Sequence, residues 1–179
     1  MALRKASAYS KRTVVPYTRI SKKKSKSYIK AVPPQKIVKF SMGSKQSYDS
    51  EKFPYHLTLI SGEKVQIRHN ALEASRQYVN KKLEKEFPGQ YFFRVVPFPH
   101  HIQRENKMLT GAGADRMSTG MQLSFGKAMG KAAILKKGDA IFFVAVSSPK
   151  AVKAVRQWFN EVKSKLPCKK KILYEEIRK

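Results

Sequence analysis

Residues able to do chemistry are few in this 179-residue chain, and a loop-borne active site would lie in the stretch from His100 to Gly130. Between residues 101 and 130 the only carboxylates are Glu105 and Asp115. A general acid–base pair is therefore arithmetically available, as is a nucleic-acid-cleaving arrangement of His100 or His101 with Asp115. The simpler reading has Asp115 pair with a neighbouring arginine or cap a turn. His100 and His101 are adjacent, so their side chains rarely reach one metal together, and no cysteine lies nearby; no metal site and no cofactor are expected. His56 and His69 read as strand and turn residues. Gly111-Ala-Gly-Ala-Asp115 has the small residues of a phosphate-cradling loop, but the third glycine of a dinucleotide fingerprint is missing. The Gly-Lys-Ser/Thr of a P-loop is missing too, because Gly126 and Lys127 are followed by Ala128. A flexible loop is the bland alternative. The third reading suits the charge: Gly and Ala allow close approach to a nucleic-acid backbone while Arg104, Lys107, Arg116 and Lys127 neutralise phosphates. No enzyme is expected.

Charge is the strongest compositional signal. Against 12 Asp+Glu stand 38 Lys+Arg, a formal net charge of +26. Self-repulsion of that size destabilises a compact state unless a polyanion offsets it. Residues 1 to 48 carry 13 of these cations and no acidic side chain. Arg4, Lys5, Lys11, Arg12, Arg19, Lys22, Lys23, Lys24 and Lys26 form a basic N-terminal arm over 1–35, interleaved with Tyr9, Tyr17 and Tyr28. Cations on phosphate with aromatic rings on bases or ribose is the combination that suits RNA. Pro16, Pro33 and Pro34 deny the arm the amphipathic helix of a membrane-surface segment. No helix-turn-helix, zinc finger or basic zipper is visible, which favours RNA over DNA. The single cysteine, Cys168, excludes an internal disulfide and suits a reducing cytoplasm. Residues 1–20 lack the apolar centre of a signal peptide, and no apolar run approaches membrane-spanning length.

The elements that must position these residues read as an α+β body over 36–179. Lys36–Phe40 has the composition of a short strand closed by Gly43. Tyr55–Ile60, a Ser61-Gly62 turn and Val65–Ile67 read as a hairpin. Asn70 with Glu73 three residues on resembles a capping box, after which Leu72, Val79, Leu83 and Phe87 form one helical stripe, with Arg76, Lys81, Lys82 and Lys85 off it. Tyr91–Val96 reads as a buried strand. From His100 to Gly130 periodicity vanishes, and five of the nine glycines lie between Gly111 and Gly130; this is a long functional loop by length alone. Ala132–Leu135, a turn at Lys137-Gly138-Asp139 and Ala140–Val146 read as a second hairpin. Ser148-Pro149 starts a second helix with Val152, Val155, Phe159, Val162 and Leu166 on its stripe, ended by Pro167. Ile172–Tyr174 and Ile177 suit a last strand. Two amphipathic helices on a mostly antiparallel sheet are expected, with a basic extended arm and the long Gly-rich loop 100–130.

The run from Ala114 to Gly130 (Ala-Asp-Arg-Met-Ser-Thr-Gly-Met-Gln-Leu-Ser-Phe-Gly-Lys-Ala-Met-Gly) resembles the signature of the universal large-subunit ribosomal protein family called L-ten-e in archaea and eukaryotes and L-sixteen in bacteria. Ala31–Gly43, Asn70–Arg76 and Pro97–Met108 resemble the same family in the same order, so the likeness covers nearly the whole chain. Length and the Glu-Asn-Lys-Met segment look archaeal. The resemblance implies a body with a hammerhead-like β motif, embedded in large-subunit rRNA between the central protuberance and the peptidyl transferase region. It implies a non-enzymatic structural role in the cytoplasmic ribosome and a loop, Gln103 to Ser118, close to tRNA, with Arg104, Asn106, Lys107, Met108 and Arg116 as its tRNA-proximal residues. The expected partners are large-subunit rRNA, including the 5S rRNA region, neighbouring ribosomal proteins and tRNA; no membrane and no homo-oligomer are expected. Where the family usually has Arg after the Gly-Met pair, this chain has Gln122. The alternative is a free-standing RNA-binding module or RNA chaperone.

Overall fold

In the computed structural model, residues 5–11, 29, 31–105 and 127–177 are described, Glu105 by its backbone alone. The elements are β1 (Ser41–Gly43), α1 (Lys45–Asp49), β2 (Tyr55–Ser61), β3 (Val65–Arg68), α2 (His69–Glu86), β4 (Tyr91–Val95), β5 (His101–Glu105), β6 (Lys127–Leu135), β7 (Ala140–Val146), α3 (Pro149–Glu161) and β8 (Lys170–Glu176), with a 3-10 turn at Val162–Lys165. A five-stranded sheet has the order β1-β4-β7-β2-β8 and a three-stranded sheet the order β3-β6-β5. Every recorded pairing is antiparallel. The architecture is α+β.

The helices are held by the stripes their spacing predicts. Leu72, Val79 and Leu83 of α2 are wholly buried, as are Val155, Phe159 and Val162 on α3 and its continuation. Ser148 accepts the Ala151 N–H at 3.3 Å, and Pro149 occupies the first turn, where its missing N–H costs nothing. Trp158, which the stripe did not include, is buried against Phe87 with ring centroids 6.2 Å apart. Both helices share one hydrophobic core with Leu57, Leu59, Phe93, Phe142 and Val144 of the larger sheet and Val65, Ile67, Ala133 and Leu135 of the smaller. At about 1.5–3 kcal/mol for each large apolar side chain fully buried, this core is the main stabilising term.

Both expected hairpins are instead corners between the sheets. β2 pairs with β7 and β8, whereas β3, after the Ser61-Gly62 turn, pairs with β6. Likewise β6 and β7, joined at Lys137-Gly138, belong to different sheets. The two corners lie side by side: the Ser61 N–H donates to Asp139 O at 2.9 Å and the Gly138 N–H to Ser61 O at 2.8 Å. Satisfying backbone groups across corners removes the need for each strand to pair with its sequence neighbour.

Three further expectations are corrected. The strand expected at Lys36–Phe40 lies at Ser41–Gly43; Phe40 joins it through its carbonyl, which accepts the Val95 N–H at 2.7 Å. The capping box does not form. Chain leaving β3 enters α2 directly, Arg68 stands at the N-cap but its side chain makes no capping hydrogen bond, and Glu73 is engaged by Arg76. The non-periodic region 100–130 is bounded by strands, because β5 and β6 reach into it from both sides. α1 was not anticipated; it is a five-residue helix with Ser44 as its cap. The expected last strand is present as β8, on the sheet edge beside β2.

Candidate nucleic-acid interface

The three-stranded sheet is the stem of the Gly-rich segment. Glu105 stands opposite Lys127 in the β5–β6 register, so the chain leaves the sheet and returns to it at one point. Residues 106–126, with Asn106, Lys107, Met108 and Arg116, lie outside the described residues. Arg104 belongs to β5 and is half-buried, which makes it a stem residue and not a loop residue. A register shift between Gln103 and Arg104 sets it opposite Ala128. Lys127 opens β6 and is exposed.

The stem is polar inside. Gln103 Nε2 donates to Gln66 Oε1 across the sheet, with both side chains buried. His69, the first residue of α2, is 4% exposed, and its Nδ1 has no hydrogen-bond partner among the described residues. Burial first, then the neighbouring cations Arg68, Lys36 and Lys131, push its imidazole down to about 4, so it is neutral at pH 7. Gly130 stands opposite Gln103, and a Cβ there would come 3.1 Å from His69 Nε2; the close approach of β6 to α2 therefore uses the absence of a side chain. Lys36, Arg68 and Lys131 concentrate positive charge at the base of the stem. Their sequence separation conceals this, and only the pairing of β3 with β6, which sets Arg68 opposite Ala132, brings two of them together.

A buried charge pair, Glu73 with Arg76, fixes β1 and the segment before it. Arg76 Nε donates to Glu73 Oε2 at 2.7 Å, and its terminal nitrogens reach Glu73 Oε1 at 2.7 Å and Met42 Sδ at 3.4 Å. Gln77 adds a bond to Oε1 at 2.9 Å. These bonds, with one from the Val38 backbone, hold the Glu73 carboxyl below its ordinary range, the Arg76 bond contributing most. Arg76, read as lying off the helical stripe, is thus buried.

Of the arm, residues 5–11 form a turn against the smaller sheet. The Gln66 N–H donates to Ser10 O at 2.7 Å, and Lys11 Nζ lies 3.9 Å from Glu63 on an exposed surface. Lys5 and Lys11 are exposed. Arg4, Arg12, Arg19, Lys22, Lys23, Lys24 and Lys26 lie outside the described residues. Further cations that no motif marked stand on the solvent sides of the helices: Lys81 and Lys85 on α2, and Lys150, Lys153 and Arg156 on α3. Among the described residues no group of three or more His, Cys, Asp or Glu side chains is placed to hold a metal, and no helix is long and apolar enough to cross a membrane.

A family described as ribosomal protein L16p/L10e matches residues 16–173. The protein called large ribosomal subunit protein uL16 in Methanococcus maripaludis is 44% identical over 174 residues, covering 97% of this chain and 94% of that protein. Its namesake in Sulfolobus acidocaldarius is 41% identical over 182 residues, covering 100% of this chain and 97% of that protein. The one in Methanospirillum hungatei is 42% identical over 151 residues, covering 84% and 86%.

Proposed function

The chain belongs to the ribosomal protein L16p/L10e family, and from that premise we propose that it binds rRNA of the large subunit through its basic arm and body and carries residues 106–126 close to tRNA at the peptidyl transferase region. Its role is that of a structural constituent of the cytoplasmic large ribosomal subunit, without catalysis. The arm, 1–35, and the body, 36–179, act as two parts of one rRNA-binding surface. The 5S rRNA region and neighbouring ribosomal proteins are its further contacts.

One observation carries the loop reading. Residues 106–126 start and end at the facing pair Glu105 and Lys127, so a rigid antiparallel stem presents them at a single place. That is how a scaffold aims a contact segment at a ligand. Contacts from Lys107 and Arg116 to tRNA phosphate or ribose position a ligand without reading its bases.

The test has two stages. The chain should co-sediment stoichiometrically with large subunits at moderate salt; a free RNA-binding module or chaperone would not. In reconstituted subunits, Lys107→Ala combined with Arg116→Ala should incorporate normally yet weaken tRNA binding or slow peptide-bond formation. Arg104 stays unchanged in that variant, because it belongs to the stem. Normal tRNA affinity and normal peptide-bond formation in properly assembled subunits would refute the loop's role.

A further inference from the structure

The face of the five-stranded sheet turned away from α2 and α3 carries its own aromatic cluster. Alternation along β4 sends Tyr91, Phe93 and Val95 into the main core and Phe92 to the other side, where it packs with Phe53, Ala145, Tyr48 and Phe143. Tyr48 stacks on Phe92 with ring centroids 4.6 Å apart and an interplanar angle of 16°, and meets Phe143 edge-on at 5.7 Å. Tyr48 comes from α1, which at five residues covers only part of the face. Beside it a cavity of about 520 Å³ remains open, lined among others by Lys45, Tyr48, Thr58, Arg94 and Phe143. Cavities of this order hold compact ligands of drug size.

The register orders the cavity floor. Arg94 stands opposite Phe143, and Phe143 opposite Thr58, so a cation, a ring and a hydroxyl lie side by side on three adjacent strands, roughly 5 Å apart. Tyr48 and Phe143 are half-buried, leaving ring surface at the cavity. Lys45 and Arg94 are exposed, and neither has an ion-pair partner among the described residues. Asp49 also lines the cavity, one helical turn from Lys45, and offers acceptor oxygens.

We infer that this cavity takes a single unpaired RNA nucleobase, stacked on Phe143 with Tyr48 flanking it, the adjoining phosphates on Arg94 and Lys45 and the base edge towards Thr58 and Asp49. The inference rests on the rRNA-binding reading above and names a subsite within it. An aromatic floor alone would equally suit an apolar peptide. Two cations at its rim without an ion-pair partner among the described residues, in a chain of net charge +26, favour a polyanion. Stacking platforms flanked by cations are how proteins hold unpaired bases.

Chemical probing of base reactivity in large subunits, combined with ultraviolet cross-linking and mass spectrometry, decides the matter. Subunits carrying the full chain should yield a nucleotide adduct on the peptide containing Tyr48 or Phe143, and one rRNA base protected in them should become reactive in Phe143→Leu subunits. Loss of a stacking partner weakens such a site by roughly tenfold. Arg94→Gln changes an exposed residue outside the core and should lower the adduct yield per incorporated chain, which guards against a folding defect in Phe143→Leu. Subunits that contain the chain, with nucleotide adducts on the arm but none here and no base changing reactivity in either variant, would overturn the inference and leave the rRNA-binding reading intact. Cross-links from this cavity to another protein would overturn it in favour of a peptide occupant. Failure of the unaltered chain to enter large subunits would overturn both readings.

Discussion

Glu73 and Arg76 form a buried bidentate pair, and its value lies in what each partner would cost alone. Taking both charges out of water nearly cancels their attraction, whereas removing one leaves an uncompensated buried charge, at about 3–5 kcal/mol. Glu73→Ala should therefore lower the melting temperature of the free chain sharply. It should also loosen the segment around Met42 and Val38 that the pair holds. Glu73→Gln, which keeps the shape and part of the bonding, should be milder. The pH dependence has a definite sign. Because the folded-state pKa of Glu73 is depressed, its stabilising contribution is complete above the unfolded value and is lost as pH falls through the lowered one. The acid limb of the stability profile should thus be shallower in Glu73→Gln than in the unaltered chain. Equal acid limbs in urea titrations at several pH values would show that the pair contributes nothing measurable. In the sequence, Glu73 offered itself as a capping partner of Asn70, since spacing of three is shared by capping boxes and by i,i+3 ion pairs. Which one forms depends on whether a strand runs straight into the helix, and β3 does.

At the scale of elements, the helices were legible and the strand partners were not. Val152, Val155, Phe159 and Val162 repeat with helical period, and local periodicity is enough to choose their buried face. A β run followed by a turn and another β run specifies that the chain changes direction; it does not specify which strand the second run will join. Ser61-Gly62 and Lys137-Gly138 both satisfy turn chemistry, and at both the chain crosses from one sheet to the other. The region 100–130 failed for a related reason: its flanking strands are paired with each other over more than twenty intervening residues, beyond the reach of any local pattern. α1 was hidden because it buries no residue of its own and so has no apolar stripe. Its position depends on Gly43, which has φ +82 and whose Cβ, were there one, would collide with the Tyr91 carbonyl oxygen. Gly43→Ala combines an unfavourable left-handed backbone with a clash against main chain that cannot move aside. It should cost about 1–3 kcal/mol or more, a range typical of such strain. It should also displace Tyr48 from Phe92, measurable as a change in near-ultraviolet circular dichroism. Unchanged stability together with an unchanged aromatic signal would refute this account of how α1 is held.

For the whole molecule, the question is which of the cations meet rRNA and which only make the chain basic. Body and arm differ in how their charges are held. In the body, cations stand on rigid elements: Lys131 in β6, Lys150 and Lys153 on α3, Arg94 in β4. The arm begins with a turn docked on β3 through the Gln66 to Ser10 bond, so deleting it from residue 1 would expose a backbone donor and disturb the body along with the charge. Neutralising Lys22, Lys23, Lys24 and Lys26 together to Gln avoids that, because none of them lies in the docked turn. Each phosphate contact adds about 0.7 to 0.9 to the slope of log affinity against log salt, the lower figure for single strands, so four contacts amount to about 3. If the Lys22–Lys26 cluster lies on rRNA, the quadruple variant should lose a slope of that order against a cognate rRNA fragment while its melting temperature stays unchanged. A charge-preserving change of all four to Arg should restore the slope, since counterion release counts charge and not side-chain identity. An unchanged slope in the Gln variant, with folding intact, would assign the electrostatic work to the cations of the body and the stem, and the arm's basic cluster would then serve something other than rRNA affinity.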